Sequence, residues 1–321
     1  MLQAGAALGI AGAPSVVYGQ SKARITIVGG GFGGAAVAKH LRMLDNTLDV
    51  TIIEPNPDYV TCPHSNEVIA GLATMADITV SYGRLAQAYG VRFLRDEVRA
   101  VDTTRRKITL GSGSVMDYDR LVLAPGVEMR LDAIEGYNAA ALEKMPHAWK
   151  AGPQTALLRR QLEAMPDGGT VIVAPPINPS RCPPGPYERA SLIAHYLKTH
   201  KPKSKILIFD AKDTFPHQET FQSVWDSLYP GMIDWYAASS GGTITKVDPA
   251  AMTVTTEFGA QKGNVINIIP QQRAPQFLID ASLVDPWGWC PIEPRTLEST
   301  LTRHVSIVGD AANGVVMAKS A

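Results

Sequence analysis

Residues 24–54 read RITIVGGGFGGAAVAKHLRMLDNTLDVTIIE, and this stretch decides the fold. Residues 24–28 form a short apolar, β-branched run of the kind that makes a buried parallel strand. Gly29, Gly31 and Gly34 follow at G-x-G-x-x-G spacing. The first glycine allows a tight turn, the second lets the backbone approach a pyrophosphate, and the third lets a helix pack close to the strand. The spacing predicts a helix from Ala35 to about Leu44. Its N-terminus carries free N–H groups and the positive end of the dipole, both suited to phosphates. A second apolar run, residues 50–53, ends in Glu54, twenty residues past Gly34. A carboxylate there can accept hydrogen bonds from an adenosine ribose and disfavours a 2′-phosphate. Strand, glycines, helix, strand and acid in register point to a dinucleotide site. The motif by itself does not separate FAD from NAD.

The 321 residues allow about two domains, and a 45% hydrophobic content supplies a sizeable core. Thirty basic side chains balance thirty acidic ones, which argues against electrostatic capture of nucleic acid. No apolar run is long enough for a clear membrane-spanning helix. Residues 2–17 (LQAGAALGIAGAPSVV) are apolar and rich in small residues, like the core of an export signal without its charged n-region. Residues 1–21 are therefore set apart from the fold, and export would place the protein in the periplasm.

Beyond Glu54 the pattern predicts a proline-punctuated loop and a short helix over 66–72. A strand at 91–94, a hairpin from 98–102 and 107–110, and a strand at 119–124 follow. A helix over 155–165, a buried strand at 170–174, a helix from Tyr187 to about Thr199 with Pro186 at its first position, and a strand at 206–210 make a second βαβ unit. Short strands follow at 243–247, 252–256 and 265–269. The segment from Pro270 to about Thr302 reads as irregular. A last strand, HVSIVGD, ends in Gly309-Asp310. The expected fold is thus α/β, with two Rossmann-like dinucleotide-binding-type domains, the second inserted in the first. The expected division is 22–135 and 277–321 for the first and 136–276 for the second, with a C-terminal interface domain missing.

The loop after the 170–174 strand reads PPINPSRCPPGP. Its six prolines at 175, 176, 179, 183, 184 and 186 lack the N–H donors a pyrophosphate cradle needs. The second unit is therefore expected to have lost NAD binding. Cys182 lies in this loop just before a helix, where the helix N-terminus and neighbouring Arg181 would favour the reactive thiolate. Cys62 and His64 do not sit at metal-ligand spacing, and no metal site is expected. Only Cys62, Cys182 and Cys290 exist. Cys290 reads as a packed thiol.

The segments GGGFGGAAVAKH, YDRLVLAPGVE and HVSIVGDAA resemble the three FAD contacts of the two-dinucleotide-domain disulfide reductases. DYVTCPHSNEVIAG (58–71), PHAWKAGPQ (146–154), RCPPGPYERAS (181–191), NIIPQQR (267–273) and WGWCP (287–291) narrow the resemblance to the flavoprotein subunit of flavocytochrome c sulfide dehydrogenase. That resemblance implies an oxidoreductase binding FAD through Gly29, Gly31, Phe32, Gly33, Gly34, Glu54, Ala124, Pro125, Gly126, Gly309 and Asp310, with Asp310 on the ribityl chain. It implies a covalent flavin bond at Cys62 and a lysine, Lys319, near the flavin pyrimidine edge. It makes Cys182 one half of a redox-active disulfide that sulfide attacks, with its partner cysteine beyond residue 321, so that the chain is expected to be truncated. Glu188 is a candidate proton acceptor for hydrogen sulfide, or simply a first-turn acid suited to the helix dipole. Electrons would pass to a c-type cytochrome on another chain, since no C-x-x-C-H haem motif occurs. The alternatives are a sulfide:quinone oxidoreductase or a non-catalytic FAD-binding fragment. An NADH-dependent flavin reductase is disfavoured by the proline loop.

Overall fold

A computed structural model describes residues 23–313. The signal-like segment and Lys319 lie outside the described residues. Two parallel sheets organise the chain. The first has the order Val305–Ile307, Arg120–Leu123, Arg24–Val28, Asp49–Ile53, Arg92–Leu94. Every neighbouring pair in it is parallel. The second has the order Ile233–Tyr236, Lys205–Phe209, Thr170–Ala174, Val265–Ile268, again all parallel.

The strands are apolar on both faces because both faces are covered. Ile27, Ile52 and Val122 pack into one layer, while Val28, Ile53, Leu121 and Leu123 pack into the other. In the second sheet Val171 and Val173 face one core and Ile172 and Ala174 the other. Ile27 and Ile52 are 0% exposed, so truncating either to alanine should cost about 2–5 kcal/mol.

The helix after the first strand spans Phe32–Leu44, three residues earlier than the sequence predicts. Gly33 and Gly34 lie in its first turn and are buried. Close packing against the strand offsets the low helix propensity of glycine there. The Val98–Asp102 and Lys107–Leu110 hairpin is present and gains a third strand, Val115–Asp117. The short helix Ser65–Ala70 packs against the helices Pro153–Ala164 and Gly185–His200, which carries the Cys62 loop toward the second sheet. Among the elements of the second unit that escape the sequence reading are the helix Gln218–Leu228, the edge strand Ile233–Tyr236 and the strand Gly259–Lys262. The helix begins at Gly185 behind Pro184, so Pro186 takes its second position rather than its first. No helix among the described residues is long and apolar enough to cross a membrane.

Candidate functional site

In the first sheet Arg24–Val28 lies between Asp49–Ile53 and Arg120–Leu123. The chain leaves this central strand on one side and returns on the other, which makes its carboxyl end the switch point where open α/β sheets bind ligands. Three segments meet there: the glycine loop after Val28, residues 124–126 after Leu123, and Gly309-Asp310 after the Val305–Ile307 strand. Ala124 donates its N–H to Val28 O at 2.8 Å, and Val308 donates to Leu123 O at 2.9 Å, so the three loop starts are held side by side.

The glycine loop fits a dinucleotide in detail. Gly29 has φ +95°, and a Cβ there would stand 2.3 Å from Ala124 O. A Cβ on Gly34 would stand 1.9 Å from Gly29 O, so this position sets the helix-to-strand contact. Gly31 differs. Its φ is −68°, and the nearest atom to a Cβ would be Tyr59 Cε2 at 3.8 Å. None of the described residues requires glycine at 31; the missing side chain keeps the helix start open to a ligand. Among the described residues no side chain caps this helix and no acid sits in its first turn, so its leading N–H groups have no side-chain partner. Phe32 is 54% exposed and meets Tyr59 edge-on at 5.4 Å. Burial pushes the Tyr59 hydroxyl up to about 12.

Glu54 stands at the end of the second strand. Its Oε2 accepts the Gly30 N–H at 2.9 Å, and its Oε1 accepts the Asn56 N–H at 2.9 Å and the Asn56 side-chain amide at 2.7 Å. The carboxylate therefore braces the glycine loop and is itself fixed at the cleft edge. Asp310 is raised from the ordinary carboxylate range by burial, with Arg181 pulling it back.

The Cys182 loop reaches this edge from the second unit. Arg181 donates Nε to Asp310 O at 2.7 Å and Nη2 to Ala312 O at 2.8 Å, and its guanidinium lies 3.8 Å from the Trp289 ring centroid. Gln272 Oε1 accepts the Arg181 N–H at 2.8 Å. Arg181 is thus committed to the Gly-Asp return. Cys182 itself has φ +55°, a left-handed conformation that costs a non-glycine residue of order 1 kcal/mol or more and concentrates at functional sites. A Cβ on Gly185 would stand 3.0 Å from Cys182 Sγ and 2.6 Å from the Trp149 ring, so the bare glycine lets both side chains settle on the helix start. Glu188 is in the first turn of the same helix, partly exposed.

Cys62 lies at the mouth of the same region. The residue is exposed, yet its sulfur is crowded, and Ala151 donates its N–H to Sγ at 3.5 Å. Desolvation pushes the thiol up, Asp310 adds to that, and the Ala151 N–H, Arg189 and Lys150 oppose it. The residue that links these parts is one the sequence reading passed over. Arg189 is 2% exposed. Its Nε donates to Asn66 Oδ1 at 2.9 Å, its Nη1 to His147 O at 2.9 Å and Asn267 Oδ1 at 3.0 Å, and its Nη2 to Ala148 O at 2.7 Å. Asn267 in turn donates to Pro146 O at 2.7 Å and His147 O at 2.9 Å. One guanidinium therefore joins the Ser65–Ala70 helix that follows Cys62, the 146–149 loop and the second sheet. The available signal was an arginine among Tyr187, Ala190 and Ile193 on the buried face of an amphipathic helix.

Cys290 is 0% exposed in the core with Val28, Leu123 and Ile307, and burial pushes its thiol up to about 12. It is a packed thiol, inert by its surroundings. Asp210, at the end of the second unit's Lys205–Phe209 strand, stands where a NAD-binding unit would offer its ribose acid. Here it is 0% exposed and fully engaged. It pairs with Lys212 Nζ at 2.6 Å, accepts Trp235 Nε1 at 3.1 Å and accepts the Tyr187 hydroxyl. Among the described residues no three His, Cys, Asp or Glu side chains converge as metal ligands.

Two parallel sheets with a glycine-loop cleft at the first and a proline-rich cysteine loop at the second define a flavin-type member of the disulfide-reductase class. The pyridine nucleotide-disulphide oxidoreductase model matches residues 23–161. The model for the central part of the sulfide dehydrogenase [flavocytochrome c] flavoprotein chain matches residues 155–270. The flavoprotein chain of sulfide dehydrogenase [flavocytochrome c] from Chlorobaculum thiosulfatiphilum is 58% identical over 45 residues, which are 14% of this chain and 94% of that protein. The chain belongs to this flavocytochrome c sulfide dehydrogenase flavoprotein family. It is also 27% identical to the sulfide-quinone reductase of Aquifex aeolicus over 184 residues, 57% of this chain and 41% of that protein. The crystal structure of the sulfide:quinone oxidoreductase from Aquifex aeolicus superposes with a TM-score of 0.75 at 20% identity, over 91% of this chain and 69% of that one. The chain thus spans well under the full length of these longer relatives.

Proposed function

We propose that this chain is the FAD-binding portion of a periplasmic sulfide-oxidising flavoprotein that passes electrons to a c-type cytochrome on another chain. The observation that carries this reading is the meeting of the glycine loop, residues 124–126, Asp310 and the Cys182 loop at one sheet edge, tied by Arg181. Residues 22–135 and 277–321 form the flavin domain in this reading, and 136–276 the inserted one.

The N–H groups of Gly31, Phe32, Gly33 and Gly34 hold the pyrophosphate, and Glu54 takes the adenosine ribose. Ala124, Pro125 and Gly126 line the cleft, with Gly309 and Asp310 placed for the ribityl hydroxyls. Cys62 is the covalent tether, and Lys319 is assigned to the pyrimidine edge. When bound, FAD supplies the two-electron acceptor. On the protein side, hydrosulfide attacks an oxidised Cys182 sulfur: a new S–S bond forms, the existing one breaks, and the electron pair leaves on the displaced sulfur. Glu188 receives the proton of hydrogen sulfide. The inserted unit no longer takes NAD, because its loop lacks donors and Asp210 is already saturated.

The similarity to the Aquifex sulfide-quinone reductase supports a second reading, with a quinone as acceptor. The two are separated by supplying sulfide to the protein from its full reading frame, with either a soluble c-type cytochrome or a short-chain quinone. Faster reduction of the cytochrome supports the first reading. Turnover with the quinone alone overturns it.

A further inference from the structure

Arg189 is among the largest fully buried side chains of the molecule. Its four hydrogen bonds end on two backbone carbonyls and two amide oxygens, all neutral. Among the described residues no carboxylate pairs with it. A guanidinium left in a dry site without a counter-charge costs several kcal/mol, so buried arginines normally sit against acids. Burial lowers Arg189 only to about 10, which leaves it charged at neutral pH.

The groups within its electrostatic reach that can become anions are thiols, Cys62 and Cys182. Gly185 and Arg189 are one turn apart on the same helix, hence on one face. Cys182 Sγ rests at the Gly185 position, beside the Trp149 ring. The Arg189 guanidinium lies 5.2 Å from that ring's centroid. The other charged neighbours are accounted for. Arg181 is held by the carbonyls of Asp310 and Ala312. His147 is kept neutral by burial. Lys150 and Asp310 act on Cys62 with opposite signs. Glu188, one residue before Arg189, is partly exposed.

We propose that Arg189 is the positioning residue for the sulfur anion of this site, a fixed and deliberately unpaired cation that holds the thiolate of Cys182. The charge is kept free of protein acids so that sulfur can supply the missing negative charge. This deepens the proposed function, on which it rests for the role of Cys182. It can nevertheless be measured without sulfide or flavin turnover.

The test is alkylation of Cys182 by iodoacetamide in the full-length protein after phosphine reduction, followed by peptide mass spectrometry across pH. The thiolate is the reacting form. At pH 7 the Arg189→Gln variant should alkylate at least about tenfold more slowly, with its rate–pH profile displaced to higher pH. Arg189→Lys, which keeps the charge but not the hydrogen bonds, should stay within about threefold of the parent. Asn66→Asp keeps Arg189 and gives it an acid partner, so it covers the case in which the Gln variant fails to fold. It should slow alkylation as the Gln variant does. An unchanged profile in Asn66→Asp, or equal slowing by Lys and Gln, would overturn the assignment.

Discussion

Arg181 Nε donates to the Asp310 carbonyl at 2.7 Å, across 129 residues of sequence, and so fastens the cysteine loop of the second unit to the Gly-Asp return of the first. The companion bond to Ala312 O and the stack on Trp289 leave this guanidinium little freedom. Replacing Arg181 by methionine keeps bulk over the indole and removes both bonds. It should lower stability by about 2 kcal/mol, the worth of one or two charged hydrogen bonds. It should also weaken flavin binding by loosening Asp310. Chemical denaturation and flavin titration check both effects.

The glycine loop makes a sharp contrast. Gly34→Ala forces a Cβ to within 1.9 Å of the Gly29 carbonyl and should prevent correct folding of the first unit. Gly31→Ala meets nothing closer than 3.8 Å and should fold with a stability change within about 1 kcal/mol. The same change should weaken FAD binding at least tenfold. Equal effects of Gly31→Ala on stability and on binding would argue against a phosphate at this turn.

Asp210 and Lys212 form a buried pair at 2.6 Å, with side-chain exposures of 0% and 13%. Asp210→Ala strands the ammonium and should cost about 3–5 kcal/mol. It should not restore NADH binding, because the proline loop still lacks the donors for a pyrophosphate. Calorimetric titration with NADH reads out both the parent and the variant, and measurable binding by the parent would contradict the account.

His147 is 8% exposed, and its Nδ1 accepts the Trp149 N–H at 2.9 Å. Burial, with Arg189 and Lys150 nearby, holds its pKa down to about 4. An unfolded histidine titrates near 6.5, so below that pH the unfolded chain binds more protons and stability falls. The loss develops between about pH 6.5 and 4 and should reach roughly 2–3 kcal/mol by pH 4.5. His147→Asn retains the acceptor for Trp149 and should remove this part of the acid sensitivity. Urea denaturation at pH 7 and 4.5 measures it.

The first βαβ unit was legible because its determinants are local: glycines at contact distances, a β-branched strand and a strand-end acid within residues 24–54. The second unit's core strand and helix were legible for the same reason. The Gln218–Leu228 helix was not, because it is largely polar, has one buried side chain, Trp225, and starts after His217 at φ +59° without a capping hydrogen bond. The Ile233–Tyr236 strand is short and only half-buried, so no clean alternation marks it. At the site, Cys62, Cys182 and Asp310 could be named from their motifs. Arg181's true partners and the Arg189 network could not, since they join residues 41 to 131 positions apart. Asp210 could have been noticed as the counterpart of Glu54, but its saturation by Lys212, Tyr187 and Trp235 is visible only in three dimensions.

The most direct test of the account is anaerobic addition of sulfide, and separately NADH, to the FAD-loaded protein from its full reading frame, following flavin absorbance. The account predicts bleaching by micromolar sulfide, loss of that response in Cys182→Ser, and no response to NADH. Rapid bleaching by NADH with sulfide inert would contradict it and make the protein a pyridine-nucleotide-dependent reductase.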